Sequence, residues 1–335
     1  MSPMTLTGSD ELEAFYKNKF YFSYSSINKL LFSPRMFYSH YILNQRKDST
    51  DAHLVEGRVL HCLLLEPDSF DEQFLVTNTR VPTGNNKTVL DVIFKHHLTL
   101  GNNTLSLEDY EDEIITQLQV INLHQSLKTD QQRLDKIVTE ENKSYFEFLK
   151  ESLDKTVIDQ DTLNGCKERL EILKQNTAVR SLLQLDKTDD DTHITVCNEL
   201  QLAVDVDGLP FGFKGFIDNL VIDHDTKTVF VNDLKTLGKS IQDFPDSVEY
   251  YRYWIQAIIY MYMVKEKFSK LTDYTFKITF IVIDKYNQVY PYQVSDETQA
   301  RWEVQFKEII HKVKWHYENK QFDLPYDLAL GNVKL

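Results

Sequence analysis

The sequence predicts a mixed α/β protein in which a central, mostly antiparallel-edged sheet is flanked by helices, with a further run of helices inserted before the sheet. Three observations predict it. Residues 211–236 read as a β-hairpin, two apolar, β-branched runs around the polar turn Asp223-His224-Asp225-Thr226-Lys227. After the hairpin, residues 244–267 and 296–319 carry helical spacing, and 275–283 and 288–294 between them read as strands. From about 86 to 185 the pattern is helical and strongly charged.

The elements follow in chain order. Residues 23–43 read as two short helices, with Ser25 or Ser26 as one cap and Ser33-Pro34 as cap plus first-turn proline. Residues 52–66 form a helix with Val55, Val59, Leu60, Leu63 and Leu64 as its apolar stripe, and Pro67 ends it. His61 sits beside that stripe, where a lone histidine is ordinarily a core residue. Within the charged stretch, 107–123 and 159–175 are amphipathic helices, and the acidic run from Asp186 to Asp191 is a solvated loop. Residues 193–206 alternate as a strand in which Glu199 stands among apolar neighbours, and Asp207-Gly208 turns into the hairpin. Residues 244–267 are expected as one helix, with Arg252, Gln256 and Tyr260 at i, i+4 and i+8 on one face.

Composition bounds the function. A chain of 335 residues, 42% of them apolar, can bury a sizeable core in one large domain or two ordinary ones. The three cysteines, Cys62, Cys166 and Cys197, form neither a disulfide framework nor a metal knuckle, which suits a reducing cytoplasm. The first twenty residues mix Asp10, Glu11 and Glu13 with lysines, so no signal peptide is expected. The longest apolar run, Ala257 to Val264, is too short to span a bilayer, and no membrane partner is expected. A net charge of -14 argues against indiscriminate coating of nucleic acid. It leaves room for carboxylates that await metal ions and for a local basic groove.

The chemistry concentrates in the hairpin. Asp233 and Lys235 are two residues apart on one strand and leave the same face of the sheet, and Asp218 interrupts an apolar run on the other strand. A carboxylate among apolar neighbours is costly unless paired, hydrogen-bonded or bound to metal. Two carboxylates that hold a hard cation, beside a lysine that orients water, fit phosphodiester hydrolysis. The alternative for an isolated Asp-x-Lys is a surface ion pair.

The company of that tripeptide is informative. Tyr24 to Pro34, Gly57-Arg58-Val59-Leu60-His61, Glu199, Asp218, Asp233-Leu234-Lys235 and Gln256-x-x-x-Tyr260 occur in this order. So arranged, the chain resembles the PD-(D/E)XK nuclease superfamily, most nearly its RecE-type, exonuclease VIII-like branch. The resemblance implies a restriction-endonuclease-like core in a single nuclease domain spanning 1–335. Within it, N-terminal helices occupy 1–80, a helical insertion 86–185 and the catalytic core 192–320. It implies a metal site of His61, Asp218, Asp233 and the Leu234 carbonyl, with Lys235 orienting the water and Glu199 assisting. Arg252, Gln256 and Tyr260 would contact the DNA backbone.

The implied cofactor is Mg²⁺ or Mn²⁺, and a neutral imidazole suits Mn²⁺ better. The implied substrate is linear double-stranded DNA, degraded from an end to expose single strands for recombination. A homo-oligomeric ring, a single-strand annealing protein as partner and a phage or prophage origin follow by the same analogy. No cysteine follows Cys197, so the cluster of the four-cysteine iron–sulfur members is not expected. Two other readings are open: a structure-selective or site-specific endonuclease with the same centre, and a non-catalytic DNA-binding module, against which the complete residue set argues.

Overall fold

The computed structural model describes residues 9–46, 51–101 and 104–333. Residues 1–8, on which the signal-peptide expectation partly rests, lie outside the described residues. The chain divides into two compact units, one of Met1–Glu66 with Lys167–Leu335, the other of Pro67–Cys166.

The first unit opens with α1 (Ser9–Lys17), β1 (Tyr21–Phe22) and α2 (Tyr24–Phe32). The cap of α2 is Ser23, not Ser25 or Ser26. Its extended backbone sets its hydroxyl over the first turn to accept from the Ser26 N–H, while the Ser26 hydroxyl accepts from the Ser23 N–H. Then α3 (Pro34–Phe37) starts on Ser33-Pro34 as expected and runs into a π-helical turn, Tyr38–Ile42. Next comes α4 (Ala52–Leu65), the helix of His61.

The second unit comprises α5 (Phe70–Gln73), β2 (Phe74–Val76), α6 (Gly84–Leu100), α7 (Glu111–Val120), α8 (Asp130–Ile137), α9 (Glu140–Glu151) and β3 (Thr156–Ile158). Its core packs Val89, Leu90 and Ile93 of α6 against Ile114 and Leu118 of α7, with Leu134, Ile137 and Phe146. β2 and β3 pair in parallel. After β3, α10 (Gln160–Gln175) leads to α11 (Thr177–Leu183). The unit boundaries fall earlier at both ends than the 86–185 segment read from charge and helical spacing. The β2–β3 pair explains the first shift. The second arises because α11 buries Val179 and Leu183 with Leu234, Ile281 and Ile283 of the first unit.

The sheet of the first unit follows the expected order: β4 (Ile194–Asp205), β5 (Gly212–Asp223) and β6 (Thr228–Leu237), then α12 (Phe244–Tyr250), α13 (Tyr253–Lys267), β7 (Thr275–Asp284), β8 (Val289–Gln293), α14 (Asp296–Asn319) and α15 (Tyr326–Ala329). The strands form a six-stranded mixed sheet, ordered β1-β5-β6-β7-β8 with β4 also on β5. β1–β5 and β6–β7 are parallel, and β4–β5, β5–β6 and β7–β8 are antiparallel. Alternate positions of β6 divide between two cores. Val229 and Val231 pack with Ile255, Ile258 and Ile259 of α13, whereas Leu234 packs with Leu60 and Leu64 of α4.

One expected element is two. The helix foreseen over 244–267 breaks at Arg252, whose φ of 57° is left-handed. The break frees the Tyr251 carbonyl, which accepts from the Tyr24 hydroxyl at 2.5 Å and from Asn28 Nδ2 at 2.8 Å, both on α2.

Candidate active site

The site forms where the sheet opens. β5 pairs with β4 from Gly212 to Asp223 with one rung missing, so its other edge serves both β6 and β1. That edge pairs with β6 only from Asn219 to Asp223 and with β1 only at Gly212 and Phe213. The hairpin therefore forks at the next rung, where Asp218 and Asp233 would have faced each other. The Asp218 carboxylate takes over from the ladder: its Oδ2 accepts the Leu234 N–H at 2.7 Å. On the other side of β5, the one rung missing between β4 and β5 is Glu199 with Asp218. Glu199 has φ of 45°, a left-handed conformation costly for a glutamate and found where surroundings impose it.

His61 enters from α4. Its Nε2 lies 2.9 Å from the Leu234 carbonyl, and because a carbonyl only accepts, Nε2 carries the proton. Its Nδ1 then faces Glu199 Oε1 and Asp218 Oδ2, each at 3.6 Å. α4 approaches β6 closely at Gly57, where a Cβ would sit 3.0 Å from Thr236 Oγ1. One ligand atom from each of His61, Glu199 and Asp218 lies within 4.8 Å of the other two. Glu199 Oε1 and Asp233 Oδ1 are buried without a hydrogen bond, while Asp233 Oδ2 has the Lys235 ammonium beside it. A buried carboxylate oxygen left without a donor fits a cation that would supply the missing charge, and one imidazole with carboxylates suits a divalent metal.

Beside this group, Lys235 Nζ lies 2.5 Å from Asp233 Oδ2 and 5.0 Å from the centroid of the Tyr253 ring. Asp218 is 7% exposed and Asp233 2%. Burial pushes the Asp233 carboxyl up to about 6 against the lowering effect of Lys235. Burial also raises Asp218, outweighing His61 and Lys235. For His61, burial alone favours the neutral ring, but Asp218 and Glu199 overcome it and lift the imidazole to about 9. Burial would likewise lower Lys235, yet Asp233 and Asp218 hold it above its ordinary value. Lys235 is therefore an ammonium at neutral pH, a source of positive charge and donors and not a base.

The expected residues are thus distributed unevenly. His61, Glu199 and Asp218 converge; Asp233 stands next to them with Lys235, outside the three-ligand group. The Leu234 carbonyl is engaged by His61. Gln256 and Tyr260 are 8% and 7% exposed, and Gln256 Nε2 donates to the Tyr260 hydroxyl at 2.8 Å. Tyr260 is close enough to the carboxylates that, after burial, Asp218 and Asp233 raise its hydroxyl well above its ordinary value. Its ring covers Gly215, where a Cβ would come within 2.9 Å. Arg252 does not share their helix. It is the N-cap of α13 and donates to Asn28 Oδ1 at 3.1 Å.

A family model for the PD-(D/E)XK nuclease superfamily matches residues 121–324. The chain belongs to the PD-(D/E)XK nuclease superfamily. Its mixed sheet flanked by helices agrees with the restriction-endonuclease-like fold expected of that superfamily. No curated protein matches the chain in sequence. Among solved structures it is similar to the "Putative exonuclease" of Eubacterium rectale, with 11% identity and a TM-score of 0.43 over 100% of this chain and 89% of that one. No helix among the described residues is long and apolar enough to cross a membrane.

Sequence reasoning missed a second polar row beside the first. Asn198, Asn219 and Asn232 directly neighbour Glu199, Asp218 and Asp233, and form an amide ladder across the three strands. Asn232 Nδ2 donates to Asn219 Oδ1 and Asn219 Nδ2 to Asn198 Oδ1, each at 2.8 Å. The ends are tied to the helices: Asn198 donates to the Leu65 carbonyl at 3.0 Å and Asn232 to that of Leu182 at 2.9 Å. The available signal was an asparagine adjacent to each acid in otherwise apolar strands.

Proposed function

We propose that this superfamily member is a divalent-metal-dependent exodeoxyribonuclease that hydrolyses linear double-stranded DNA from an end and exposes single strands for recombination. The observation that carries the reading is the convergence of His61, Glu199 and Asp218 at the fork of the hairpin, with Asp233 and Lys235 alongside. His61 Nδ1, Glu199 and Asp218, joined by Asp233, would hold Mg²⁺ or Mn²⁺. The metal, when bound, supplies Lewis-acid polarisation of the phosphate and a lowered pKa for water. Lys235 orients the attacking water and offsets developing negative charge through its fixed ammonium. The Gln256–Tyr260 pair supports the carboxylates from beneath, and Arg252 meets the DNA backbone.

The exonuclease reading and the RecE-type placement rest on the order and spacing of the motifs from Tyr24 to Tyr260. The same likeness carries the proposals of a single nuclease domain with an inserted helical unit, a homo-oligomeric ring around DNA, a single-strand annealing partner and a phage origin. Three cysteines, odd in number and widely separated along the chain, suit a cytoplasmic setting.

The test is degradation of a linear duplex and its covalently closed counterpart with Mg²⁺, with Mn²⁺ and with chelator. Metal-dependent loss of the linear form alone is expected. Cutting of the circle would replace the reading by an endonuclease, and loss of neither form with either metal would refute it.

A further inference from the structure

The break between α12 and α13 does more than interrupt a helix. It sets Tyr250 and Tyr251 on the surface, 81% and 44% exposed, in a row of rings that ends on the lysine of the site. Lys235 Nζ lies over the Tyr253 ring. Tyr253 stacks on Tyr251 with centroids 5.5 Å apart and planes at 26°, and Tyr251 meets Tyr250 edge-on at 4.9 Å. The row is held rigidly. The Tyr251 carbonyl takes two hydrogen bonds from α2, and Arg252, in its left-handed conformation, is tied to the same Asn28 that makes one of them. On α2, Phe32 follows Tyr24 and Asn28 at helical spacing and is 74% exposed.

Two large, fixed, exposed rings leading away from the lysine need an occupant, and the local charge narrows the choice. α12 carries Asp246 and Glu249 and no lysine or arginine, so counter-charge for phosphate lies at the inner end of the row, at Arg252 and Lys235, and not at the exposed rings. Neutral aromatic faces beside carboxylates fit the π-faces of nucleobases, which stack on tyrosine without regard to sequence. We infer that Tyr251 and Tyr250 form a stacking platform for unpaired bases of the DNA strand whose phosphodiester lies at Lys235. The inference rests on the nuclease reading and adds to it a preference for ends with unpaired nucleotides.

Platform and nuclease are separable by experiment. Binding of a fluorescent duplex with a four-thymine overhang, of either polarity, is followed by anisotropy in chelator, where no cleavage occurs. The same overhang built of abasic sites serves as control. Tyr250→Ala and Tyr251→Ala are each expected to weaken binding to the thymine overhang about ten-fold or more. Binding to the abasic overhang should not change, and Tyr250→Phe should bind as the wild type does. Equal losses on the abasic overhang, or a loss in Tyr250→Phe, would overturn the platform. So would sedimentation showing that Tyr250→Ala dissociates an assembly of the wild type, which would assign the rings to a second copy of the chain. Metal-dependent cleavage by the wild type is read separately, so failure of the nuclease reading does not mimic failure of the platform.

Discussion

Two rows of polar side chains cross the same three strands one residue apart, and they differ in how far their groups are spent on one another. In the asparagine row, Asn198, Asn219 and Asn232 donate their amides to one another and to carbonyls of Leu65 and Leu182, and Asn232 Oδ1 is the row's one buried oxygen without a donor. In the acidic row, Glu199 Oε1 and Asp233 Oδ1 are buried without a donor, Asp233 Oδ2 meets only the Lys235 ammonium among the described residues, and the β4–β5 ladder is missing at Glu199 while the β5–β6 ladder ends before Asp233. Buried polar groups left unpaired cost stability; satisfied ones fix geometry. The comparison teaches that the sheet sets its register with the first row and leaves the second free to bind.

The largest expected effects come from the acidic row. Asp218→Asn and Lys235→Ala should each lower metal-dependent cleavage of linear duplex by about 10²–10³-fold or more, the scale of a lost electrostatic group at a reacting centre. Circular dichroism should report an unchanged fold. If activity survives both changes, the two rows do not divide as described.

The asparagine row should fail in the other currency. Each buried group left unpaired costs about 1–3 kcal/mol. Asn219→Ala deprives neighbours on both sides, so its unfolding midpoint in urea should fall further than that of Asn198→Ala at the row's edge. Equal stability in both variants would mean that the ladder does not hold the register.

Protonation sharpens the contrast, because amides do not titrate and the acidic row does. Without metal, the His61 imidazole titrates at about 9. A raised folded value means the imidazolium stabilises the metal-free protein, fully below the unfolded value of about 6.5 and progressively less as pH rises through 9. Metal at Nδ1 must displace that proton. Mn²⁺ binding at pH 7 should therefore release protons, and affinity should rise with pH towards 9 and fall further below 6 as Asp233 protonates. Titration calorimetry in buffers of different ionisation enthalpy measures the release. A buffer-independent heat would exclude His61 as a ligand.

The smallest effect is expected at Gly57. A methyl group 3.0 Å from Thr236 Oγ1 must be met by a shift of a few tenths of an ångström, shared between the Thr236 side chain and α4. Gly57→Ala should cost no more than about 1 kcal/mol in stability, the crowding being offset by the helix propensity that alanine gains in α4, and should weaken Mn²⁺ binding through the displaced His61, with the asparagine row intact.

Much of this was legible in the sequence, for physical reasons that can be named. Strand alternation and apolar spacing located the hairpin, β7, β8 and α14, because burying one face imposes a periodicity of two on a strand and 3.6 on a helix. The proximity of Asp233 to Lys235 followed from strand geometry alone. Other features were hidden because they depend on partners distant in the chain. The break at Arg252 exists because α2 offers donors to the Tyr251 carbonyl, and nothing between residues 244 and 267 announces it. The engagement of the Leu234 carbonyl by His61 required knowing how closely Gly57 lets α4 approach. The asparagine row needed the register of three strands at once.

The most direct test of the central claim is calorimetric titration of chelator-stripped protein with Mn²⁺, comparing the wild type with Asp218→Asn and Asn232→Ala. The account predicts saturable binding that Asp218→Asn abolishes and that Asn232→Ala, folded at the temperature of the measurement, retains with reduced affinity. Binding unchanged in Asp218→Asn would contradict it, and would mean that the fork between β5 and β6 is not where the metal sits.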